Sequence, residues 1–214
     1  DDLRAQTGKL ITDLIYTLNH ADHTFGAGVF VESQEVQPKI WALELTEGRV
    51  HEVVNVLSPI IFIRSMRMFG SYLPDESFAN NGIGPRQLSD HQDGFHFLPP
   101  SDTISDEADV EIAGERVIIR LAPGETPDQL MIYLPERSVW LPADNYYHAF
   151  PNLYSIRGTP YRDPRDWAAS LDVMRSLKAE VMIPQHSQPV IGAEEIDERL
   201  RNYRDAIQFV YDAT

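Results

Sequence analysis

The segment at residues 17–23, TLNHADH, constrains the fold more than any other part of the sequence. It places His20, Asp22 and His23 within four positions, directly after a short apolar run typical of a β-strand. The chain has no cysteine and seven histidines, so a tight transition-metal site has to be built from imidazole nitrogens and carboxylate oxygens. The pattern favours a strand that ends at a metal-binding loop. Taken alone, the same residues are also compatible with a polar loop that caps a helix.

Composition limits the classes of partner. With 214 residues, of which 43% are apolar, the chain can bury a sizeable core and is expected to form one domain or a large piece of one. A net charge of −15 argues against nucleic acid and anionic membrane surfaces, and an anionic substrate would need a local basic pocket. No apolar stretch is long enough to insert into a membrane. The absence of cysteine excludes disulfides and thiol catalysis but leaves the cellular compartment open.

Alternating strands and helices are predicted in the second half of the chain, which indicates an α/β fold. The predicted strands lie at residues 110–112, 117–121, 130–134, 139–141 and 181–183. One helix is predicted to begin at Asp163-Pro164, and its apolar face carries Trp167, Leu171, Met174 and Leu177. A last helix carries Ile196, Leu200, Tyr203, Ile207 and Tyr211 at helical spacing. Residues 30–100 give no comparably clear pattern.

Polar side chains that can bind metal follow several of these strands. They are His20, Asp22, His23, Asp144 and His186, together with Glu125 on the loop before a strand. Because strand ends in an α/β sandwich converge at one edge, we expect these side chains to lie close together. Each also has a simpler interpretation. His186 alone is compatible with a hydrogen-bonded structural histidine, and Glu125 with a solvated loop carboxylate.

The motif at residues 17–23 resembles T-H-x-H-x-D-H, the dinuclear metal signature of the metallo-β-lactamase superfamily, with Leu18 in place of the first histidine. Further segments resemble the alkylsulfatase branch: residues 122–127, 143–145, 151–158, 162–164 and 203–207, with His148. The resemblance implies an αββα sandwich of the α/β (α+β) class. Only sixteen residues precede Thr17, so part of the N-terminal sheet is expected to be missing.

The resemblance also implies a set of site residues and a reaction. His20 and Glu125 would bind a first zinc ion, Asp22, His23 and His186 a second, and Asp144 would bridge the two. Asp22 and Asp144 would be catalytic, and the reaction would be hydrolysis of an alkyl sulfate ester by metal-activated water.

Substrate recognition is expected to involve a second group of residues. Arg157 would bind the sulfate oxygens bidentately, Asn152 would donate a further hydrogen bond, and His148 would line the pocket. An ion pair with one of the 33 acidic residues is an alternative for Arg157, and a turn is an alternative for Asn152. His51, His91 and His96 have no partner pattern and are interpreted as surface or structural residues.

Leu18 bears on the number of metal ions, because a leucine cannot bind one. The second site keeps two imidazoles and two carboxylates, whereas the first keeps only His20, Glu125 and the bridging Asp144. We therefore expect closer to one zinc than two per chain, with the first site weak or empty. Two alternatives to a sulfatase remain: another hydrolase of the superfamily, such as a lactonase or phosphodiesterase, and a metal-poor pseudo-enzyme that serves as an interaction subunit.

The chain is interpreted as a partial catalytic domain spanning residues 1–214, within a larger protein. Residues 193–214 are expected to begin a helical dimerisation segment, as the alkylsulfatase resemblance implies. An exposed apolar face on this last helix would favour a homodimer or association with further segments.

Overall fold

The computed structural model describes residues 2–32, 35–77 and 96–214, and in these residues the strands form two sheets. The first sheet is parallel, in the order β1 (Asp13–Ile15), β2 (Lys39–Leu43) and β3 (Asp102–Ile104). The second sheet follows chain order: β4 (Glu107–Ile112), β5 (Glu115–Leu121), β6 (Leu130–Leu134), β7 (Val139–Leu141), β8 (Val181–Met182) and β9 (Val190–Ile191). In the second sheet only β7 and β8 run parallel to each other.

The helices lie between and after the strands. They are α1 (Asp2–Thr7), α2 (Ala21–Thr24), α3 (Ala27–Glu32), α4 (Thr46–His51), α5 (Ser58–Met68), α6 (Pro164–Ser176) and α7 (Ala193–Asp212). A π-helical turn, Glu52–Val56, joins α4 to α5, and 3₁₀ turns occur at Asp75–Ser77, Pro135–Arg137 and Ala143–Asn145. Helix α6 begins as predicted, with Pro164 in its first turn and the Asp163 carboxylate accepting a hydrogen bond from the Arg165 amide.

The two sheets pack face to face. Side chains alternate along β2, so Leu43 points to the opposite face from Ile40 and Ala42. Leu43 and Ile104 from the first sheet form one apolar cluster with buried residues of the second, namely Val117, Ile119, Leu130 and Ile132. This cluster is the core between the sheets.

Helices cover the outer face of each sheet. Met131, Trp140 and Met182 of the second sheet belong to a cluster with residues of α6 and α7: Trp167, Leu171, Met174, Ile196, Leu200, Tyr203 and Ile207. On the first sheet, Ile40 and Ala42 pack with Ala27 of α3. The four layers are therefore helix, sheet, sheet, helix, which confirms the predicted αββα sandwich. Within the described residues the first sheet has three strands and the second has six, and the expectation that part of the N-terminal sheet is missing stays a prediction.

The final helix differs from the expectation in one respect. Four of the five residues of its predicted apolar face, Ile196, Leu200, Tyr203 and Ile207, are buried against α6 and the second sheet, whereas the fifth, Tyr211, is exposed together with Phe209. The expectation of an exposed apolar face along this helix is therefore wrong, because α6 already covers it. That residues 193–214 begin a dimerisation segment stays a prediction.

His91, interpreted above as a surface or structural residue, lies outside the described residues. Among the helices in the described ranges, we find none that combines the length and the apolar character needed to cross a bilayer.

Candidate metal centre

Four chain segments bring the candidate ligands to one edge of the sandwich. His20, Asp22 and His23 follow β1, and the main-chain oxygen of Thr17 accepts a hydrogen bond from the Leu130 amide at the start of β6, with an N···O distance of 2.7 Å. The other ligands come from the second sheet: Glu125 from the β5–β6 loop, Asp144 from the turn after β7 and His186 from the loop after β8. The strand-end arrangement expected from the sequence thus assembles all six side chains.

The first of two groups, called here the four-residue cluster, contains Asp22, His23, Asp144 and His186. His23 Nε2 lies 3.3 Å from Asp22 Oδ2 and 3.2 Å from Asp144 Oδ2. His186 Nε2 lies 3.1 Å from Asp22 Oδ2 and 3.5 Å from Asp144 Oδ1. Ligands placed about 2.0–2.2 Å from a tetrahedral ion are about 3.3–3.6 Å from one another, so these spacings fit a single transition-metal ion.

The environment of His23 supports this fit. Its Nδ1 lies 2.9 Å from the Thr17 hydroxyl, which in turn donates to Gln185 Oε1 at 3.2 Å. Because the Thr17 proton is directed to Gln185, its oxygen accepts from His23 Nδ1–H, and this tautomer leaves a lone pair on Nε2. Within the described residues, His23 Nε2 and Asp144 Oδ1 are buried and make no hydrogen bond of good geometry, although each lies within 3.5 Å of an oppositely charged group of the cluster. Buried polar atoms are rarely left in that state, and a cation between them would satisfy both.

Without a cation, the four side chains of the four-residue cluster shift one another's pKa values. Burial lowers the pKa of His23, but the carboxylates of Asp144 and Asp22 outweigh it and raise the pKa to about 9. Contacts with Asp144 and Asp22 raise the pKa of His186 to about 10. Burial opposes ionisation of the two carboxyls, yet the imidazoles hold the pKa of each below its usual range. Protons on the histidines thus supply the positive charge that the carboxylates require.

The second group, called here the three-residue cluster, contains His20, Glu125 and Asp144. His20 Nδ1 lies 3.9 Å from Glu125 Oε2. Leu18, at the position of the missing histidine, is fully buried with 0% exposure. The three-residue cluster therefore offers one nitrogen and two carboxylates, of which Asp144 is shared with the other cluster.

Glu125 already has two protein partners. The Tyr147 hydroxyl donates to Glu125 Oε2 at 2.5 Å, and Arg162 Nη1 lies 2.8 Å from Glu125 Oε1. Burial raises the pKa of the Glu125 carboxyl to about 7, although Arg162 opposes the shift. Burial, with the nearby charges of Arg157 and Arg162, lowers the pKa of His20 to about 3. Glu125 is only 6% exposed, so its interpretation as a solvated loop carboxylate is wrong.

Close packing fixes the two carboxylate-bearing turns against each other. A Cβ atom on Gly124 would lie 1.9 Å from Asn145 Oδ1, so only glycine fits beside that side chain. Asn145 in turn donates to the Ala122 carbonyl oxygen at 2.8 Å. Ala143 has a φ of 52°, a left-handed conformation that is unfavourable for alanine and directly precedes Asp144. The positions of Glu125 and Asp144 are therefore coupled through their neighbours.

A network of buried hydrogen bonds holds the loop that carries His20, Asp22 and His23. The Asn19 amide donates to Asp128 Oδ1 at 2.5 Å, and the Thr46 hydroxyl donates to Asp128 Oδ2 at 2.8 Å. Asp128 and Thr46 are fully buried. The network connects the residue before His20 to the β5–β6 loop and to α4.

The predicted substrate-binding residues occupy different environments. Arg157 is half-buried, donates to the Ser155 hydroxyl at 3.2 Å and lies over the Phe69 ring; within the described ranges it forms no ion pair. The Asn152 side chain is exposed, and its main-chain oxygen is the atom that accepts from Arg162. His148 is exposed too, and its amide donates to the Ser187 hydroxyl. Substrate binding by all three stays a prediction.

The structure also shows the surroundings of His51 and His96 and tests whether the motif is a helix cap. His51 is exposed and lies 3.6 Å from a Glu47 carboxylate oxygen, as expected of a surface residue. The His96 amide donates to the Phe25 carbonyl oxygen. His20 occupies the position before α2 without a side-chain cap hydrogen bond, so the motif is not explained as a helix cap.

Sequence reasoning did not assign roles to Thr17, Tyr147, Arg162 and Asp128. Arg162 and Tyr147 contact Glu125 from positions 37 and 22 residues further along the chain. No spacing rule predicts such pairs, because they depend on where the loops meet in the fold. Thr17 is the exception, since it lies within the metal motif itself.

Comparisons with known proteins agree with this geometry. Residues 2–186 match the metallo-beta-lactamase superfamily. The chain is 37% identical to a linear primary-alkylsulfatase from Pseudomonas sp., over 100% of this chain and 41% of the relative. It is 31% identical to an alkyl/aryl-sulfatase from Saccharomyces cerevisiae, over 99% of this chain and 34% of the relative. The chain thus spans about two fifths or less of the length of these relatives.

Solved structures show the same fold. A stereoselective inverting sec-alkylsulfatase from Pseudomonas sp. superposes with a TM-score of 0.87 at 23% identity, over 99% of this chain and 35% of the other. A metallo-beta-lactamase family protein from Thermus thermophilus superposes with a TM-score of 0.64 at 21% identity, over 94% of this chain and 62% of the other. The chain belongs to the metallo-β-lactamase superfamily, and within it the chain is similar to the alkylsulfatases.

Proposed function

We propose that this protein is a zinc-dependent hydrolase that cleaves organic sulfate esters, with alkyl sulfates as the substrate class. The observation that carries the proposal is the four-residue cluster, whose ligand atoms have the spacing of a single tetrahedral ion and whose buried His23 Nε2 makes no hydrogen bond of good geometry to any described residue. In the reaction, water would add across the ester to give an alcohol and hydrogen sulfate.

Zinc is the proposed metal because the alkylsulfatase resemblance implies it and because two imidazoles and two carboxylates in the four-residue cluster are ligand types that zinc accepts. When bound, the ion supplies Lewis acidity, lowering the pKa of water and offsetting charge that develops on the ester. Asp22, His23, Asp144 and His186 would hold it. Thr17 would keep His23 in the tautomer whose Nε2 faces the ion, through the contact at Nδ1.

Arg157 supports an anionic ester such as an alkyl sulfate over a neutral lactone. The chain carries a net charge of −15, so an anionic substrate needs a local source of positive charge. The Arg157 guanidinium is half-buried, has no ion pair within the described residues and is close enough to His20 to lower its pKa. It would donate two parallel hydrogen bonds to sulfate oxygens. The Asn152 amide would donate another, as predicted from the sequence.

Two relatives support the same chemistry, since one is named a linear primary-alkylsulfatase and the other an alkyl/aryl-sulfatase. This chain covers 41% of the first of them, so their activity is carried over here as part of the proposal.

The test is hydrolysis of three classes of ester by the zinc-loaded protein, measured for each as acid released at constant pH, with released inorganic sulfate measured in addition for the sulfate ester. Octyl sulfate is the substrate, and a lactone and a phosphodiester are the comparison substrates. We expect turnover of octyl sulfate, and a loss of about tenfold or more in kcat/KM for Arg157→Met but not for Arg199→Met, which changes an exposed arginine paired with Glu195. Faster turnover of the lactone or the phosphodiester would contradict the sulfatase assignment.

A pseudo-enzyme is the second candidate, and the buried Leu18 is the observation that favours it. A folded, zinc-loaded protein that hydrolyses none of the three ester classes would support this candidate over an enzyme.

A further inference from the structure

We infer that Arg162 is a positioning residue that holds residues 151–158, and with them Arg157, beside the metal centre. The inference rests on the proposed function for its consequence in substrate binding. Its structural part concerns only the contacts that Arg162 makes.

A single nitrogen of Arg162 joins two distant parts of the chain. Nη1 lies 2.8 Å from Glu125 Oε1 on the β5–β6 loop, and it also donates to the main-chain oxygen of Asn152. The Arg162 side chain is almost fully buried, with 1% exposure, so both contacts are shielded from water. In such surroundings a charge-assisted hydrogen bond is stronger than on the surface.

The segment that Arg162 contacts has little regular structure of its own. Residues 151–158 contain no helix or strand, and their main-chain hydrogen bonds close turns within the segment, from Leu153 to Pro151 and from Gly158 to Ser155. Side-chain contacts therefore determine where the segment lies. Two further side-chain contacts join the segment to the end of α5: the Ser155 hydroxyl contacts the sulfur of Met68, and Arg157 lies over Phe69, 5.9 Å from the ring centre.

Burying the Arg162 guanidinium carries a large desolvation cost. Its Nε and Nη2 atoms are buried and have no hydrogen-bond partner among the residues that the structure describes, and the ion pair with Glu125 is itself desolvated. Buried ion pairs of this kind are often no more stabilising than apolar residues of similar volume. A role in stability alone therefore explains Arg162 poorly, whereas a role in placing the segment that carries Arg157 explains both contacts of Nη1.

The burial of Arg162 also separates its role from that of Arg157. A side chain with 1% exposure does not reach a substrate in solution, so Arg162 would act through the position of Arg157. The four-residue cluster has no ion pair with Arg162, so its metal content would not depend on this residue. Losing Arg162 should weaken binding of an anionic substrate while leaving that cluster occupied.

The test compares Arg162→Met and Arg162→Lys with Arg199→Met as the control. Hydrogen exchange measured by mass spectrometry reports on residues 151–158. Binding of octanesulfonate, which has no ester bond to hydrolyse, reports on the anion site. KM and kcat are measured for octyl sulfate. The zinc content per chain is measured for each variant.

We expect Arg162→Met to speed exchange in residues 151–158 and to weaken octanesulfonate binding and raise KM by about tenfold, with zinc per chain unchanged. Arg162→Lys should recover part of each effect, because an ammonium group can donate to both oxygens. The control should match the unmodified protein.

Unchanged exchange in residues 151–158, or exchange that rises equally in every element, would overturn the inference. So would unchanged octanesulfonate binding and KM in Arg162→Met. If the unmodified protein hydrolyses no octyl sulfate, the proposed function fails, and the exchange measurement still decides whether Arg162 holds the segment.

Discussion

The four-residue and three-residue clusters share Asp144, and they differ in what surrounds their other members. In the four-residue cluster, two imidazoles face two carboxylates, and no guanidinium of the described part of the chain is paired with either carboxylate. In the three-residue cluster, Glu125 is paired with Arg162 and hydrogen bonded to Tyr147, and a buried leucine replaces a ligand.

This difference concerns charge as much as ligand number. Removing a cation from the four-residue cluster leaves two neighbouring carboxylates that need protons on His23 and His186 for compensation. Removing one from the three-residue cluster leaves Glu125 with a permanent positive partner in Arg162. The two halves of a dinuclear site are thus unequal in this chain, and the four-residue cluster has the stronger need for a metal ion.

The largest effect is expected for Asp144→Asn, because Asp144 belongs to both clusters. Replacing the carboxylate by a neutral amide removes one ligand and one negative charge from each. We expect zinc affinity to fall by about 100-fold or more, with turnover falling in parallel. Competition with a chelator measures the affinity. Asp172→Asn, at an exposed position on α6, is the matched control, and equal affinity in the two variants would remove Asp144 from the centre.

The next largest effect is a difference in zinc affinity between a variant of each cluster. His23→Ala removes a nitrogen from the four-residue cluster and should lower zinc affinity by about tenfold to 100-fold. His20→Ala removes the one nitrogen of the three-residue cluster and should change the affinity of the retained ion by less than about threefold. The same chelator competition applies to both. A larger loss for His20→Ala than for His23→Ala would reverse the comparison.

The metal-free protein should depend on pH in a defined direction. The pKa values of His23 and His186 are raised above the ordinary 6.5, to about 9 and about 10. The folded protein therefore binds protons that the unfolded chain has released, and its free energy of unfolding should fall as pH rises from about 6.5 to about 10. Zinc displaces these protons, so its affinity should rise over the same range. Thermal melts with a chelator and with zinc measure both trends, and parallel curves would contradict the assignment.

A smaller change is expected for Leu18→His, which restores the missing ligand type. The added imidazole gives the three-residue cluster a second nitrogen, and zinc per chain should rise from about one towards two. Because Leu18 is fully buried, the metal-free variant should be less stable than the unmodified protein. Elemental analysis and thermal melts measure these effects. If zinc per chain does not rise, Leu18 is not at the ligand position.

Sequence reasoning located the candidate ligands because the chemistry lies at strand ends. Asp144 and His186 follow strands whose apolar runs are clear, and the structure brings them within contact distance of Asp22 and His23. Strand β2 was not predicted, since Lys39–Leu43 is short and shows no clean alternation of polar and apolar residues. Strand β9 has only two residues, which is too short for any periodicity.

The contacts that hold the candidate ligands in place could not be predicted from the sequence, for a different reason. The pairing of Arg162 with Glu125 depends on how the loop after β7 folds back over the β5–β6 loop. The requirement for glycine at position 124 depends on the approach of Asn145. Asp128 is buried by Asn19 and Thr46, which lie 109 and 82 residues away. Such contacts follow from tertiary packing, which local patterns do not encode.

Zinc content of the purified protein tests the central claim most directly. The protein is loaded with excess zinc, dialysed against metal-free buffer and analysed for zinc and protein by elemental analysis. The inequality of the two clusters predicts about one zinc per chain. Two zinc ions per chain that survive dialysis would contradict it, as would complete loss of zinc.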